Sequence, residues 1–284
     1  MKVKVIKSGL LSTIQDLGRF GYRDLGVPVC GAMDTNSAQL SNRLLNNNKD
    51  DAVLEMTMIG PKLQFDMHSQ IAITGADMSP MLNGEAIKNN KVYNIKQEDI
   101  LEFGSIKSGL RAYLAIKGGF ITDSILGSRS YYMPMTSANT IKGDDFLPAI
   151  SFNNDLERTI SFSKLKTIDF FSKTLNVFKG PEFDSLNQYQ KEKIISSEFE
   201  VSNLYSRMAY QLSPLIENDL QSILTGPVLP GTVQLTPSGR LIVLMRDCQT
   251  TGGYPRVLQL AEDAINLLSQ KKERDKVNFR IAEL

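Results

Sequence analysis

The stretch LIVLMRDCQTTGGYPRVLQLAEDAINLL, residues 241–268, carries three signals in succession. Residues 241–245 have no polar side chain, which predicts a buried strand. Residues 246–256 then bring an acid, an amide, two threonines, two glycines and a Tyr-Pro pair, a loop far richer than a turn requires. In residues 257–268, Val257, Leu260, Ala261, Ala264, Leu267 and Leu268 share one face at helical spacing, which predicts a helix. Working outward, short runs rich in Val, Ile, Phe and Tyr recur at residues 2–6, 53–57, 70–74, 92–95, 100–103, 111–116, 167–171, 199–201, 222–224 and 276–281. Gly, Asn, Asp and Pro turns separate them, Asn83-Gly84 among these. Helical spacing appears again at residues 35–45, where Leu40, Leu44 and Leu45 share a face behind Asp34 as N-cap, and at residues 183–195. Many short strands with a few helices predict a mainly β protein of barrels or sandwiches, not a βαβ sheet.

A chain of 284 residues suits two domains or one large one. Residues 151–166 are polar and weakly patterned, which places the division between a domain at 1–155 and one at 156–284, with strand exchange between them allowed. A faint echo links the halves. Gly9, Thr13-Ile14-Gln15, a Gly loop and a helix in the first half answer Gly231, Thr232-Val233-Gln234, a Gly loop and a helix in the second. Basic and acidic residues number 32 and 31, a net charge of +1, which gives no electrostatic footprint for nucleic acid and no basic face for a membrane. The N-terminus lacks the apolar stretch of a signal peptide, and no apolar run approaches the ~20 residues of a membrane span. The two cysteines, Cys30 and Cys248, fit a reducing compartment, so the expected location is the cytoplasm. A single histidine, His68, stands at a strand edge, too few for a zinc site of the usual kind or a histidine-based triad with a motif around it. There is no phosphate-binding G-x-x-x-x-G-K-[ST] loop, no G-x-G-x-x-G, and no Met-Lys-Met segment of a biotin carrier.

Chemistry is therefore expected in the loops. A Gly-rich loop that enters a helix offers unpaired N–H groups and the positive end of the helix dipole, and both Gly loops are expected to do so. In residues 246–256, Gly252 and Gly253 permit close backbone approach. Thr250 and Thr251 add hydroxyls, Gln249 an amide and Tyr254 a ring with a polar tip. Asp247 is a base or an orienting acceptor, and Arg246 or Arg256 can meet a carboxylate. The same residues also suit a structural turn. Asp34 in GVPVCGAMD is a helix cap first and a chemical group second. Cys30 reads as a small buried thiol without a cation to activate it. Arg19, between two glycines, and Arg207, beside a short strand, are each either ligand arginines or structural ones. Asp247→Asn is nearly isosteric and is expected to spare folding.

At these residues the sequence resembles a known family. The segments TIQDLGRFGYRDLGVPVCGAMD, LEMTMIGP, ITGAD, RAYLAIKGGF, LGSRS, SRMAYQL and PGTVQLTPSGRLIVLMRDCQTTGGYP occur in this order. Together they resemble the family of the 5-oxoprolinase C subunit, which also carries the names KipA, allophanate hydrolase subunit 2 and biotin-dependent carboxyltransferase. The resemblance runs from Met1 to about Phe279 and implies two cyclophilin-like β-barrel domains. It implies one component of a complex that cleaves 5-oxo-L-proline to L-glutamate with ATP, its partners being the A subunit of 5-oxoprolinase and a KipI-like B subunit. Under that reading Asp247 and Arg207 take the catalytic roles. Gln249, Thr250, Thr251, Gly252, Gly253, Tyr254, Arg19 and Asp34 bind a small amide substrate. Two other activities follow from the same resemblance: carboxyl transfer from biotin to urea or a similar amide, and sequestration of a KipI-like inhibitor of a sensor kinase. The sequence departs from the family pattern after Ser130, where YYMPMTSANTIKGDD lacks a Gly-Gly pair, and at Tyr205 and Gln211 around Arg207. It departs again at the C-terminal turn, which reads KKERDK.

Overall fold

The computed structural model describes residues 1–152 and 169–282. It is mainly β, with three α-helices among the described residues: α1, Thr35–Leu44; α2, Gln188–Ser196; and α3, Glu262–Leu268. Two compact units form, one from Met1–Gly18 with Asp34–Asp169, the other from Arg19–Met33 with Phe170–Leu284. The expected boundary between residues 155 and 156 lies outside the described residues. Among the described residues no helix is long and apolar enough to cross a membrane.

The first unit has two sheets around one core. The six-stranded sheet runs Phe146–Pro148, Lys2–Lys7, Lys62–Phe65, Ile100–Phe103, Pro80–Leu82, Glu85–Ala86. The five-stranded sheet runs Leu11–Gln15, Val53–Thr57, Ser108–Ile116, Ser69–Asp77, Val92–Ile95. Strand Lys2–Lys7 alternates as its sequence does, with Val3 and Val5 inside and lysines outside. Strand Val53–Thr57 is instead buried throughout. The neighbouring strands Ser69–Asp77 and Ser108–Ile116 carry α1 on their outer face. Asn83 and Gly84, at φ 52° and 81°, make the left-handed hairpin turn that an Asn-Gly pair favours.

Helix α1 starts where expected, with Asp34 as cap. The Ser37 N–H donates to Asp34 Oδ1 at 3.0 Å and the Ser37 hydroxyl to Oδ2 at 2.6 Å, a cap that contributes about 1 kcal/mol. Its buried face is only partly the leucine face expected, for Leu45 alone of the three leucines is fully buried. Ser37, Ala38, Ser41 and Asn42 point inward, while Leu40 and Leu44 are half-buried. Small side chains let the helix backbone approach the sheet, close enough for Thr74 to donate to the Ser37 carbonyl at 2.6 Å. Beneath it the Tyr113 hydroxyl donates to Glu55 at 2.9 Å and accepts from the Asp34 N–H at 2.8 Å.

The second unit is a closed seven-stranded barrel in the order Thr174–Lys179, Arg256–Leu260, Thr232–Leu235, Leu241–Leu244, Ala209–Ser213, Phe199–Tyr205, Lys276–Ile281. Closure is made by the parallel pairing of Thr174–Lys179 with Lys276–Ile281. Leu175, Val177, Phe199, Val201, Leu235 and Val243 are fully buried within it, each contributing about 1.5–3 kcal/mol.

The barrel corrects four sequence expectations. Residues 257–268 are not one helix. Arg256–Leu260 is a strand with barrel partners on both sides, and only Glu262–Leu268 is helical. The ladder on both edges outweighs the helical spacing, since Val257, Leu258 and Leu260 are buried equally well by a strand. Residues 169–171 of the expected 167–171 strand are not extended, and 167 and 168 lie outside the described residues. Phe171 is 82% exposed, and the strand forms instead at Thr174–Lys179, whose Leu175 and Val177 reach the core. Residues 222–224 make no strand, with Leu224 outside in solvent. The expected 183–195 helix breaks into a short 3-10 turn, Phe183–Ser185, and α2, because Leu186 is extended and Asn187 restarts the helix through a capping box with Gln190.

Candidate functional site

The loop of residues 246–256 joins strand Leu241–Leu244 to strand Arg256–Leu260. It does not enter a helix, so the anion-binding helix terminus expected here is absent from it. A second segment covers it. Gly226–Pro227 pairs with Thr251–Gly252, the Val228 N–H donates to the Thr250 carbonyl at 3.0 Å, and the Ile223 N–H donates to the Gly253 carbonyl at 2.9 Å.

Strand geometry brings Arg207 and Asp247 together. Ala209 stands opposite Leu244, and the ladder runs on past both strands. The Met245 N–H donates to the Met208 carbonyl at 2.9 Å and the Asp247 N–H to the Arg207 carbonyl at 3.0 Å. The side chains then meet as a two-pronged pair. Arg207 Nε donates to Asp247 Oδ2 at 2.8 Å and Nη2 to Oδ1 at 2.9 Å. At 11% and 13% exposure the pair is largely out of water, where such a fork is stronger and more directional than a surface ion pair. Arg207 Nη2 also donates to the Gly31 carbonyl at 2.6 Å. That carbonyl is presented by two left-handed residues in a row, Cys30 at φ 60° and Gly31 at φ 87°. Cys30 carries the cost of that conformation, about 1–2 kcal/mol, and its N–H is anchored on the Arg246 carbonyl at 3.0 Å.

Cys30 lies beside the pair, its thiol donating to the Pro28 carbonyl at 3.7 Å and lying within the field of Asp247, Arg19 and Arg207. The two arginines favour the thiolate, contrary to the expectation that no cation is near. Burial and the Asp247 charge outweigh them and push the thiol up to about 12. Burial likewise raises Cys248 to about 11. Both cysteines are free and buried. With a pKa near 12, the thiolate fraction of Cys30 at neutral pH is on the order of one in 10^5. An alkylating reagent is therefore expected to label neither cysteine in the native protein and both after denaturation, read by intact mass. Rapid stoichiometric labelling of native Cys30 contradicts this.

The rest of the loop is mixed. Gln249 and Thr250 are half-buried, and Thr251 and Tyr254 are exposed. At Gly252 a Cβ would lie 2.5 Å from the end of the Gln234 side chain, which would have to shift, whereas at Gly253 the nearest atom would be the Ile223 carbonyl oxygen at 3.7 Å. Arg246 and Arg256 do meet carboxylates, but of this chain. Arg246 Nη2 reaches Glu262 at 2.5 Å and Asn266 at 3.1 Å. Arg256 clamps Glu182 through Nε at 2.9 Å and Nη2 at 2.7 Å. Hydrogen bonds from Arg256 hold the Glu182 carboxyl below its usual range. Arg19 is fully buried in the same unit as Arg207, Asp247 and residues 249–254. Asp34 belongs to the other unit, as the buried cap of α1.

Two neighbours of this loop escape the sequence reading. Gln234 lies under Gly252, and its signal was present: Thr232 and Gln234 are the polar, alternate positions of a strand buried on both faces. Glu182 is 74 residues from Arg256, and nothing in the spacing links them.

Comparison with known proteins places this geometry. A profile of the family described as "Carboxyltransferase domain, subdomain A and B" matches residues 25–281. The chain is 29% identical to the C subunit of 5-oxoprolinase from Escherichia coli (strain K12), over 94% of its own length and 87% of that protein's. It is 40% identical to the urea amidolyase of Lachancea kluyveri over 130 residues, 45% of this chain and 7% of that protein. The crystal structure of the Kluyveromyces lactis urea carboxylase superposes with a TM-score of 0.86 at 26% identity, covering 98% of this chain and 27% of that one. The chain thus spans about half or less of the solved structures it matches. A profile match over most of the chain shows that it belongs to the carboxyltransferase domain family, subdomains A and B.

Proposed function

We propose that this chain is the C-type subunit of an ATP-dependent 5-oxoprolinase, a cytoplasmic complex that opens 5-oxo-L-proline to L-glutamate together with an A-type and a KipI-like B-type partner. The observation that carries this reading is the match to the Escherichia coli 5-oxoprolinase C subunit, across 94% of this chain and 87% of that protein. The substrate is a planar amide, and a site for it needs donors toward the oxygen and acceptors toward the N–H. The loop at residues 249–254 supplies an amide, two hydroxyls and backbone groups of both kinds. Arg207 and Asp247 position it. Both Asp247 oxygens accept from Arg207, so Asp247 serves as an orienting acceptor rather than as a base. ATP is assigned to the partners. The loop has no helix N-terminus to cradle phosphate, and Arg207, Arg246 and Arg256 each face a carboxylate of this chain. These residues do not fit a triphosphate.

A second reading is favoured by the family match and by the likeness to urea carboxylase. Under it the same loop holds urea or a related amide while a carboxyl group arrives from biotin carried by another protein. Incubating the co-purified complex with ATP and either 5-oxoproline or urea with bicarbonate separates the two. Glutamate formed only from 5-oxoproline supports the first reading. Biotin-dependent incorporation of bicarbonate carbon into urea, without glutamate, contradicts it.

A further inference from the structure

The segment that covers the loop at residues 249–254 contains a short strap, residues 226–230, of sequence Gly-Pro-Val-Leu-Pro. Its two prolines have no N–H to give to a ladder. The donors between them are both taken. The Val228 N–H goes to the Thr250 carbonyl at 3.0 Å and the Leu229 N–H to Thr232 Oγ1 at 3.0 Å. Side chains grip the carbonyls. Arg256 Nη1 donates to Pro227 at 2.8 Å, Arg23 Nη2 to Val228, and Gln259 Nε2 to Pro230 at 2.8 Å.

Arg23 differs from the other two donors. Arg256 is also bound to Glu182, and Gln259 also accepts from Thr232. Arg23 opens the 3-10 turn Arg23–Leu25, which Gly26 closes at φ 80°. The segment that carries it, Arg19–Met33, belongs to the second unit, as the strap and the loop do. Among the described residues Arg23 makes no ion pair, and its Nη1 is shut off from water without a hydrogen-bond acceptor. A guanidinium held in this way costs stability that an apolar side chain would not. Stability alone therefore does not account for an arginine here.

Val228 carries the Arg23 contact to the site. Its N–H holds Thr250, and its side chain packs with Leu244 and Cys248 in a small buried cluster. The loop beneath contains Gly252-Gly253, the backbone with the most freedom to lose when it is ordered. With the strap in place, the Thr250 and Gly253 carbonyls and the Thr251–Gly252 pairing are already fixed. A ligand of the loop then does not bear the cost of ordering them.

We propose that Arg23 is a positioning residue of the amide site, holding the strap at 226–230 on the loop at 249–254 so that the loop backbone is preset for substrate. The proposal rests on reading that loop as the amide site, and one arm of its test does not. In that arm Arg23→Met and Arg23→Gln are treated with an uncharged maleimide, and the labelled cysteines are mapped by mass. Native Cys248 is expected to label at least about tenfold faster in both variants than in the unsubstituted chain. Arg23 favours the Cys248 thiolate, so its removal slows the chemistry and faster labelling reports access alone. In the second arm each variant is assembled into the complex. The KM for 5-oxoproline is expected to rise about tenfold at normal complex mass, with kcat changed less than about threefold. Arg23→Lys, which keeps a charged donor, is expected to restore most of both readouts. Unchanged Cys248 labelling overturns the strap contact whatever the activity. Faster labelling with an unchanged KM, or a lowered urea midpoint with an unchanged KM, makes Arg23 structural and overturns the positioning role. An unsubstituted complex that forms no glutamate counts against the 5-oxoprolinase reading instead, and the labelling arm still decides the strap.

Discussion

Asp247→Asn is expected to cut 5-oxoproline turnover by the assembled complex about 100-fold, the scale of loss when substrate-positioning groups shift by an ångström. It is also expected to lower the stability of the barrel unit by about 3 kcal/mol, because the exchange leaves a largely buried guanidinium without its carboxylate. The near-isosteric shape of asparagine favours intact folding, but loss of the two-pronged bond is expected to outweigh it. Arg207 keeps the Gly31 carbonyl at 2.6 Å but meets one neutral acceptor in place of a charged fork. A second variant separates stability from positioning. Arg207→Gln combined with Asp247→Asn makes a neutral, mutually hydrogen-bonded pair. Its urea midpoint is expected to recover most of the loss while turnover stays low. Recovery of both would mean that the pair is only structural.

Gly180→Ala is expected to destabilise the barrel unit by about 3–5 kcal/mol, among the largest effects a single methyl group can have. A Cβ at Gly180 would lie 2.1 Å from the Arg256 carbonyl oxygen and 2.8 Å from two further backbone carbons. No side chain can move aside, because each of these neighbours is main chain. The relief has to come from parting strand Thr174–Lys179 from strand Arg256–Leu260. That parting breaks the Gly180 N–H bond to the Val257 carbonyl at 2.9 Å and loosens the Glu182–Arg256 clamp. Gly253→Ala is the control. Its Cβ would meet only the Ile223 carbonyl oxygen at 3.7 Å, and its midpoint is expected to move by no more than about 0.5 kcal/mol equivalent. Equal midpoints for the two variants would contradict the packing described for Gly180.

The fold is legible in the sequence where the signal is local. Strands 53–57, 92–95, 100–103 and 276–281 carry β-branched and aromatic residues between turn residues, and they form at those bounds. Asp34 caps α1, and Asn83-Gly84 turns the hairpin, because a cap and a left-handed turn each need one particular side chain at one position. Legibility ends where a barrel partner decides the outcome. Residues 257–260 fit both a helix face and a strand, and only the strands at 174–179 and 232–235 select the latter. For the site, the polar loop at 246–256 was legible because no fully apolar strand needs such a turn. Its supports were not. Arg207 and Asp247 are 40 residues apart, and their pairing follows from the antiparallel register of two strands. The left-handed Cys30 that aims the Gly31 carbonyl at Arg207 gives no sign in the sequence, since cysteine is not a residue that seeks that conformation.

The most direct test of the proposed function is an omission experiment. The candidate A-type and B-type partners are incubated with ATP and 5-oxo-L-proline, with and without this chain, and glutamate release is followed. Glutamate is expected only when all three proteins are present, none from this chain alone, with loss of the signal when Asp247→Asn replaces the native chain. Full glutamate release without this chain, or an undiminished rate with Asp247→Asn in a complex of normal mass, would contradict the proposed function.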